Sequence, residues 1–122
     1  MNLFTRTAPE VMSILSTLSG AAFDTLDVGV VEMDLQGQVL RINQYETDLS
    51  GIPAHQSVGK HFFSQVAPCT NNFMVAQRYI DTDSLDEMLD YVFTYRMKPT
   101  RVRLRMLKAA AEPLQYLLVM KL

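Results

Sequence analysis

The sequence predicts an α+β domain built on an antiparallel sheet with connecting helices across one face. Two observations carry this. The hydrophobic period runs helix, two strands, several short helices and then three long strands, which is not the alternation of a βαβ chain. The last third also changes to a period of two: in "LDYVFTYRM" (89–97) Leu89, Tyr91, Phe93, Tyr95 and Met97 share one face. Five strands with helices laid over one side leave a hollow between sheet and helices.

In chain order, "PEVMSILSTL" (9–18) reads as a helix, with Pro9 in its first turn, Val11, Ile14, Leu15 and Leu18 at helical spacing, and Gly20 as a stop. "VGVVEMDLQGQVLRIN" (28–43) reads as a hairpin: β-branched Val28, Val30 and Val31, a turn at "LQGQ", then Val39, Leu40 and Ile42. "QYETDLSG" (44–51) gives one or two helical turns closed by Gly51. "HQSVGKHFFSQV" (55–66) is helical with a break at Gly59. It stops before "APCTNN", because Ala67 precedes Pro68 and is biased away from helix. "NFMVAQRYIDTDSLDEM" (72–88) begins at an Asn cap and holds a helix of about ten residues. Strands follow at 89–97, 101–108 and 114–122. In the second of these Val102, Leu104 and Met106 point inward and Arg101, Arg103 and Arg105 outward, onto solvent or beneath the N-terminal segment.

The 122 residues make one ordinary domain, and 48% hydrophobic content supports a core. A net charge of −2 with 20% charged residues argues against a nucleic-acid partner. No apolar run has the length of a membrane span, and the N-terminus lacks the pattern of a secretory signal. A single cysteine forms no intrachain disulfide, so the expected setting is cytoplasmic.

Little in the sequence points to an enzyme. Gly37, Gly51 and Gly59 are isolated rather than part of a phosphate loop, and there is no HxxxH or CxxC pattern. His61, eight residues before Cys69, has no evident orienting partner for a thiol–histidine pair. Cys69, in "KHFFSQVAPCTNN", taken alone is open to several readings: a buried spare residue, a nucleophile, a redox switch or an attachment point. Glu46 taken alone reads as a solvated acid near a helix start, where the dipole favours it. The aromatic face Tyr91, Phe93, Tyr95 taken alone reads as core more readily than as a ligand wall.

Taken together, these segments resemble the photoactive yellow proteins (xanthopsins), blue-light receptors on a PAS fold. The resemblance spans essentially the whole chain. It rests on "FDTLDVGVVEMD", on "G-x-VL-x-x-N-x-x-E-x-D-x-SG" across 37–51, on "VGKHFFSQVAPCT" across 58–70 and on "DYVFTYRMKPTRVRLRM" across 90–106. It implies a single PAS domain over 1–122, with 1–27 as an N-terminal cap and 28–122 as the core. It also implies p-coumaric acid (4-hydroxycinnamic acid) held as a thioester on Cys69, and a protonated, buried Glu46 that donates to the phenolic oxygen and releases its proton after light isomerises the chromophore. Ser50, where the family usually has threonine, supports the network around that oxygen. Phe93 and Met97 match pocket residues, Met97 assisting return of the isomer in the dark, and Val31, Val66, Ala67 and Thr70 line the same pocket. The resemblance implies a light-sensing role in signal transduction toward an unidentified downstream protein, by a monomer or weak homodimer. The alternative is a chromophore-free PAS interaction module, possibly dimeric.

The sequence departs from the family at the far end of that pocket. Ile42 stands where the family has a tyrosine that donates to the phenolic oxygen, and isoleucine cannot donate. Tyr45, three residues on, is a candidate substitute donor. Ile52 replaces an arginine and leaves the pocket entrance apolar, and Tyr116 stands where the last strand usually has tryptophan.

Overall fold

The computed structural model describes residues 2–95 and 98–122. Among them five strands form one antiparallel sheet in the order β2-β1-β5-β4-β3, with β1 Gly29–Asp34, β2 Val39–Ile42, β3 Leu85–Phe93, β4 Thr100–Lys108 and β5 Leu114–Lys121. The turn from β1 to β2 is built by Asp34, whose Oδ1 accepts from the Gln36 and Gln38 amides at 3.0 and 2.9 Å, and by Gly37 at φ 87°.

Both faces of the sheet are covered, which is why the central strands are apolar at nearly every position. One set of alternate residues, including Val31, Met33, Leu104, Met106, Leu117 and Val119, packs under the connecting helices. The other, including Val30, Leu107, Tyr116 and Leu118, packs under the N-terminal segment.

That segment holds α1 (Ala8–Thr17), capped by Thr7, and a second helix, α2 (Gly20–Asp24), capped by Ser19. Gly20, expected from sequence as a stop, is the first residue of α2, because the Ser19 side chain accepts the Ala22 amide at 3.3 Å and restarts the helix.

The connection across the other face runs α3 (Gln44–Ser50), α4 (Ala54–Ser57), a π-helical turn Phe62–Val66, a 3₁₀ turn Pro68–Thr70 and α5 (Ala76–Asp81). Gly51 closes α3 in the left-handed region at φ 74°. The helix expected over 72–88 is much shorter. Asn72 does not cap it: its Oδ1 accepts the Met74 and Val75 amides at 2.9 and 3.2 Å in the turn before the helix, the N-cap is Val75 with no side-chain bond, and the helix ends at Asp81. Leu85 through Met88 are strand, because β3 pairs with β4 along its whole length, Leu85 opposite Lys108 and Phe93 opposite Thr100. Tertiary pairing overrides the helix propensity of "LDEM".

The strand expected to reach residue 97 leaves the ladder after Phe93. The three arginines of β4 divide. Arg101 is exposed, and Arg103 pairs with Asp90 at 2.7 Å on the surface. Arg105 is buried under the N-terminal segment, where its guanidinium binds Asp86 and donates to the Leu3 and Arg6 carbonyls, both at 2.8 Å. No helix among the described residues is long and apolar enough to cross a membrane.

Candidate functional site

Cys69 sits in the 3₁₀ turn opened by Pro68, partly buried and free of any disulfide. Two side chains grip its carbonyl oxygen: Tyr91 Oη donates to it at 2.5 Å and Asn72 Nδ2 at 3.2 Å, with Asn72 also donating to Tyr91 Oη at 2.7 Å. Thr70 is buried and its hydroxyl donates back to the Ala67 carbonyl at 2.6 Å, which tightens the loop. His61 is no partner for the thiol. Its Nδ1 accepts the Ser64 amide at 3.1 Å and meets the Ser64 hydroxyl at 2.7 Å, so it caps the π-helical turn.

From Cys69 toward Glu46 run the aromatic residues of β3 and its extension. The Tyr91 ring meets Phe93 edge-on at 6.1 Å, and Phe93 meets Tyr95 at 4.8 Å. The Tyr95 hydroxyl then donates to Glu46 Oε2 at 2.7 Å. Residues i, i+2 and i+4 on one face thus run from the cysteine loop to the acid. Val31, Ile42, Val66, Ala67 and Phe93 belong to the same buried cluster, with Ile52, Cys69, Tyr91 and Tyr95 packed against it.

Glu46 has no exposed surface. It lies in the first turn of α3, whose start is fixed by Asn43. The Asn43 Oδ1 accepts the Glu46 amide at 3.2 Å and the Val30 amide at 3.0 Å, and its Nδ2 donates to the Val28 carbonyl at 2.8 Å. Burial pushes the Glu46 carboxyl up to about 8, against a smaller lowering by the Tyr95 hydrogen bond, so it holds its proton at neutral pH. Its Oε1 is buried and finds no hydrogen-bond partner among the described residues. Burial, and then the neighbouring acid, raise the Tyr95 phenol well above its ordinary value, so it remains a donor.

A protonated acid with a spare buried oxygen, a free thiol and an apolar aromatic wall suit a ligand with an acyl end for sulfur and a polar oxygen for the acid. The donor set fits the p-coumaroyl group implied by the resemblance.

The other expected site residues are placed as follows. Ser50 is buried; its hydroxyl donates to the Thr47 carbonyl at 3.4 Å and accepts the Ile52 amide at 3.0 Å. Ile42 is buried and offers no donor, as its chemistry requires. Tyr45 does not replace it: its hydroxyl accepts the Lys121 amide at 3.0 Å, at the end of β5, because position 45 lies on a different side of α3 from Glu46. The hydroxyl that does reach Glu46 is that of Tyr95, a residue whose alternating aromatic face reads from sequence as core. Met97 lies outside the described residues. Asn43 and Tyr91 were also missed as site residues. The signal for Asn43 was the Asn before "QYE", a cap whose amide also reaches the neighbouring strand. For Tyr91 and Tyr95 it was two hydroxyls at the ends of one alternating aromatic face.

The PAS fold family model matches residues 20–120. The chain is 31% identical to the photoactive yellow protein of Halochromatium salexigens over 125 residues, covering 100% of both chains. It is likewise 31% identical to that of Rhodothalassium salexigens over 103 residues, 82% of each. The crystal structure of the photoactive yellow protein domain from the sensor histidine kinase Ppr of Rhodospirillum centenum superposes with a TM-score of 0.84 at 35% identity, over 89% of this chain and 98% of that one. With this sheet, this cysteine loop and this buried acid, the chain belongs to the photoactive yellow protein family of PAS domains.

Proposed function

We propose that this chain is a blue-light receptor that carries p-coumaric acid as a thioester on Cys69. The observation that supports it most is Glu46: a fully buried acid, protonated at neutral pH and with one unpartnered oxygen, joined to the cysteine loop by a single run of aromatic side chains. A buried carboxyl with a spare donor site is costly unless something polar meets it.

In attachment, the Cys69 sulfur attacks the acyl carbon of an activated p-coumaroyl donor. A sulfur–carbon bond forms, and the activating group leaves with the electron pair of the bond it shared with that carbon. The bound group supplies light-driven isomerisation about its double bond. The protein supplies the rest. Tyr91 and Asn72 hold the Cys69 carbonyl, and Phe93, Val31, Val66 and Ala67 keep water from the wall. Glu46 holds a proton that it releases when its surroundings change. A carboxylate left there has lost its solvation, which loosens α3 and the N-terminal segment that Asn43 ties to it.

Ile42 sets the ground state. Losing one charge-assisted hydrogen bond costs about 1.5–3 kcal/mol, and about 1.4 kcal/mol moves a pKa by one unit. The phenolic proton is therefore held more tightly than where a tyrosine stands at this position, giving more of the shorter-wavelength, protonated form.

The test is to add activated p-coumaric acid to purified apoprotein and record mass and spectrum. The expected result is a single adduct that Cys69→Ala abolishes, with a band that Glu46→Gln shifts. Absence of the adduct sinks the reading and favours the chromophore-free interaction module.

A further inference from the structure

We propose that Tyr95 is a positioning residue that fixes the transferable proton of Glu46 on Oε1, the ordering that Ile42 cannot provide. This rests on the photoreceptor reading above and concerns which oxygen does the work.

A neutral carboxyl has one carbonyl oxygen and one hydroxyl oxygen, and the carbonyl is the better acceptor. The Tyr95 hydroxyl donates to Oε2 at 2.7 Å, so Oε2 is the carbonyl and the proton sits on Oε1. Among the described residues Oε1 is the oxygen without a partner, so its proton is the one available to an incoming phenolic oxygen. The other side is set by Gly29. A Cβ there would stand 3.0 Å from Oε1 and 3.3 Å from the Glu46 Cβ, so the bare glycine leaves the carboxyl its room.

Tyr95 is itself held by its ring against Phe93 at 4.8 Å, and through Phe93 by Tyr91, which is bonded to the Cys69 carbonyl. The acid's orientation and the attachment loop are thus referred to one strand face. Of the titratable groups around Glu46, Tyr95 faces it directly, with Cys69 beyond Tyr95. Asp24 and Asp48 are exposed and bond to Gln44 instead.

The experiment reads Glu46 in the apoprotein by infrared spectroscopy across pH, with Glu46→Gln locating its carbonyl band. In Tyr95→Phe the band should move to higher wavenumber, because the carbonyl loses its donor. The ionisation midpoint should rise above about 8 by roughly one unit or more, because the carboxylate loses the same bond. Adding Ile42→Tyr to Tyr95→Phe returns a hydroxyl to the wall and should move both back. A purely structural role for Tyr95 would alter stability and leave band and midpoint in place, and that result overturns the inference. The loaded protein separates the two claims. Failure to form the adduct defeats the photoreceptor reading while the infrared shifts stand. An adduct together with an unmoved band and midpoint defeats the role of Tyr95 alone.

Discussion

Replacing Glu46 by glutamine should change how stability depends on pH more than it changes the fold. Burial raises the Glu46 carboxyl from 4.5 to about 8. Between those values the folded chain keeps a proton that the unfolded chain has lost. Stability therefore falls as pH rises: the contribution is intact below 4.5 and gone above about 8. The slope is about 1.4 kcal/mol per pH unit, and the whole interval amounts to on the order of 5 kcal/mol. That is comparable with the entire stability of many domains, so it is an upper figure.

Glutamine is neutral throughout, and its carbonyl still accepts from the Tyr95 hydroxyl. Subtracting the variant from the wild type therefore removes the other titrating groups. Urea unfolding of both apoproteins at pH 5, 6, 7 and 8 reads the difference. With a slope in urea of about 1–3 kcal/mol per molar, each pH unit should move the wild-type midpoint down by roughly half to one and a half molar relative to Glu46→Gln. Two curves that stay parallel across this range would refute the claim that Glu46 is held protonated by burial.

Two further outcomes follow from named contacts. Asn43→Ala strips partners from the buried Val30 and Glu46 amides and the Val28 carbonyl, and should cost about 2–4 kcal/mol in urea unfolding; a loss under 1 kcal/mol contradicts its bridging role. Arg105→Met keeps the bulk but drops the bonds to the Leu3 and Arg6 carbonyls and to Asp86, about 2–3 kcal/mol in all, so trypsin should cut after Arg6 faster; an unchanged rate means that the apolar contacts of Leu3 and Phe4 hold the segment without it.

Much of the scaffold was legible because period is a local signal. The alternation in "RVRLRMLK" and the Gly51 stop after "QYETDLS" read directly into β4 and α3. The errors lie where a distant partner decides. "LDEM" carries helix-forming residues, and only the facing segment of β4, with Lys108 opposite Leu85 and Arg105 opposite Met88, makes it β3. Gly20 looked like a stop because the hydroxyl that restarts the helix is one residue earlier.

The candidate site divides the same way. Cys69 and Glu46 were legible from a resemblance carried by contiguous motifs. The partner of Glu46 was not, because Tyr95 and Glu46 are 49 residues apart and meet only where the chain leaves the ladder after Phe93. Tyr45 is nearer in sequence, but helix geometry turns it toward Lys121.

The position of Asn43 says which part of the molecule the Glu46 proton can influence. The side chain of Asn43 holds the Glu46 amide with the same oxygen that holds the Val30 amide, and with its nitrogen it holds the Val28 and Phe23 carbonyls. Phe23 carries the Arg41 guanidinium 4.2 Å above its ring, and Arg41 donates to the Leu15 and Leu18 carbonyls at the end of α1, both at 2.9 Å. A carboxylate at position 46 destabilises the first turn of α3, which cannot shift without disturbing Asn43. Of the groups that Asn43 holds, the Val30 amide lies in the sheet, where β1 is paired on both sides and has little freedom to follow. The Phe23 carbonyl lies in the five-residue helix α2, which is not part of the hydrogen-bonded ladder and is held by side-chain packing instead. On the proposed function, loss of the proton would therefore act first on the N-terminal segment, and the five-stranded ladder would stay in place.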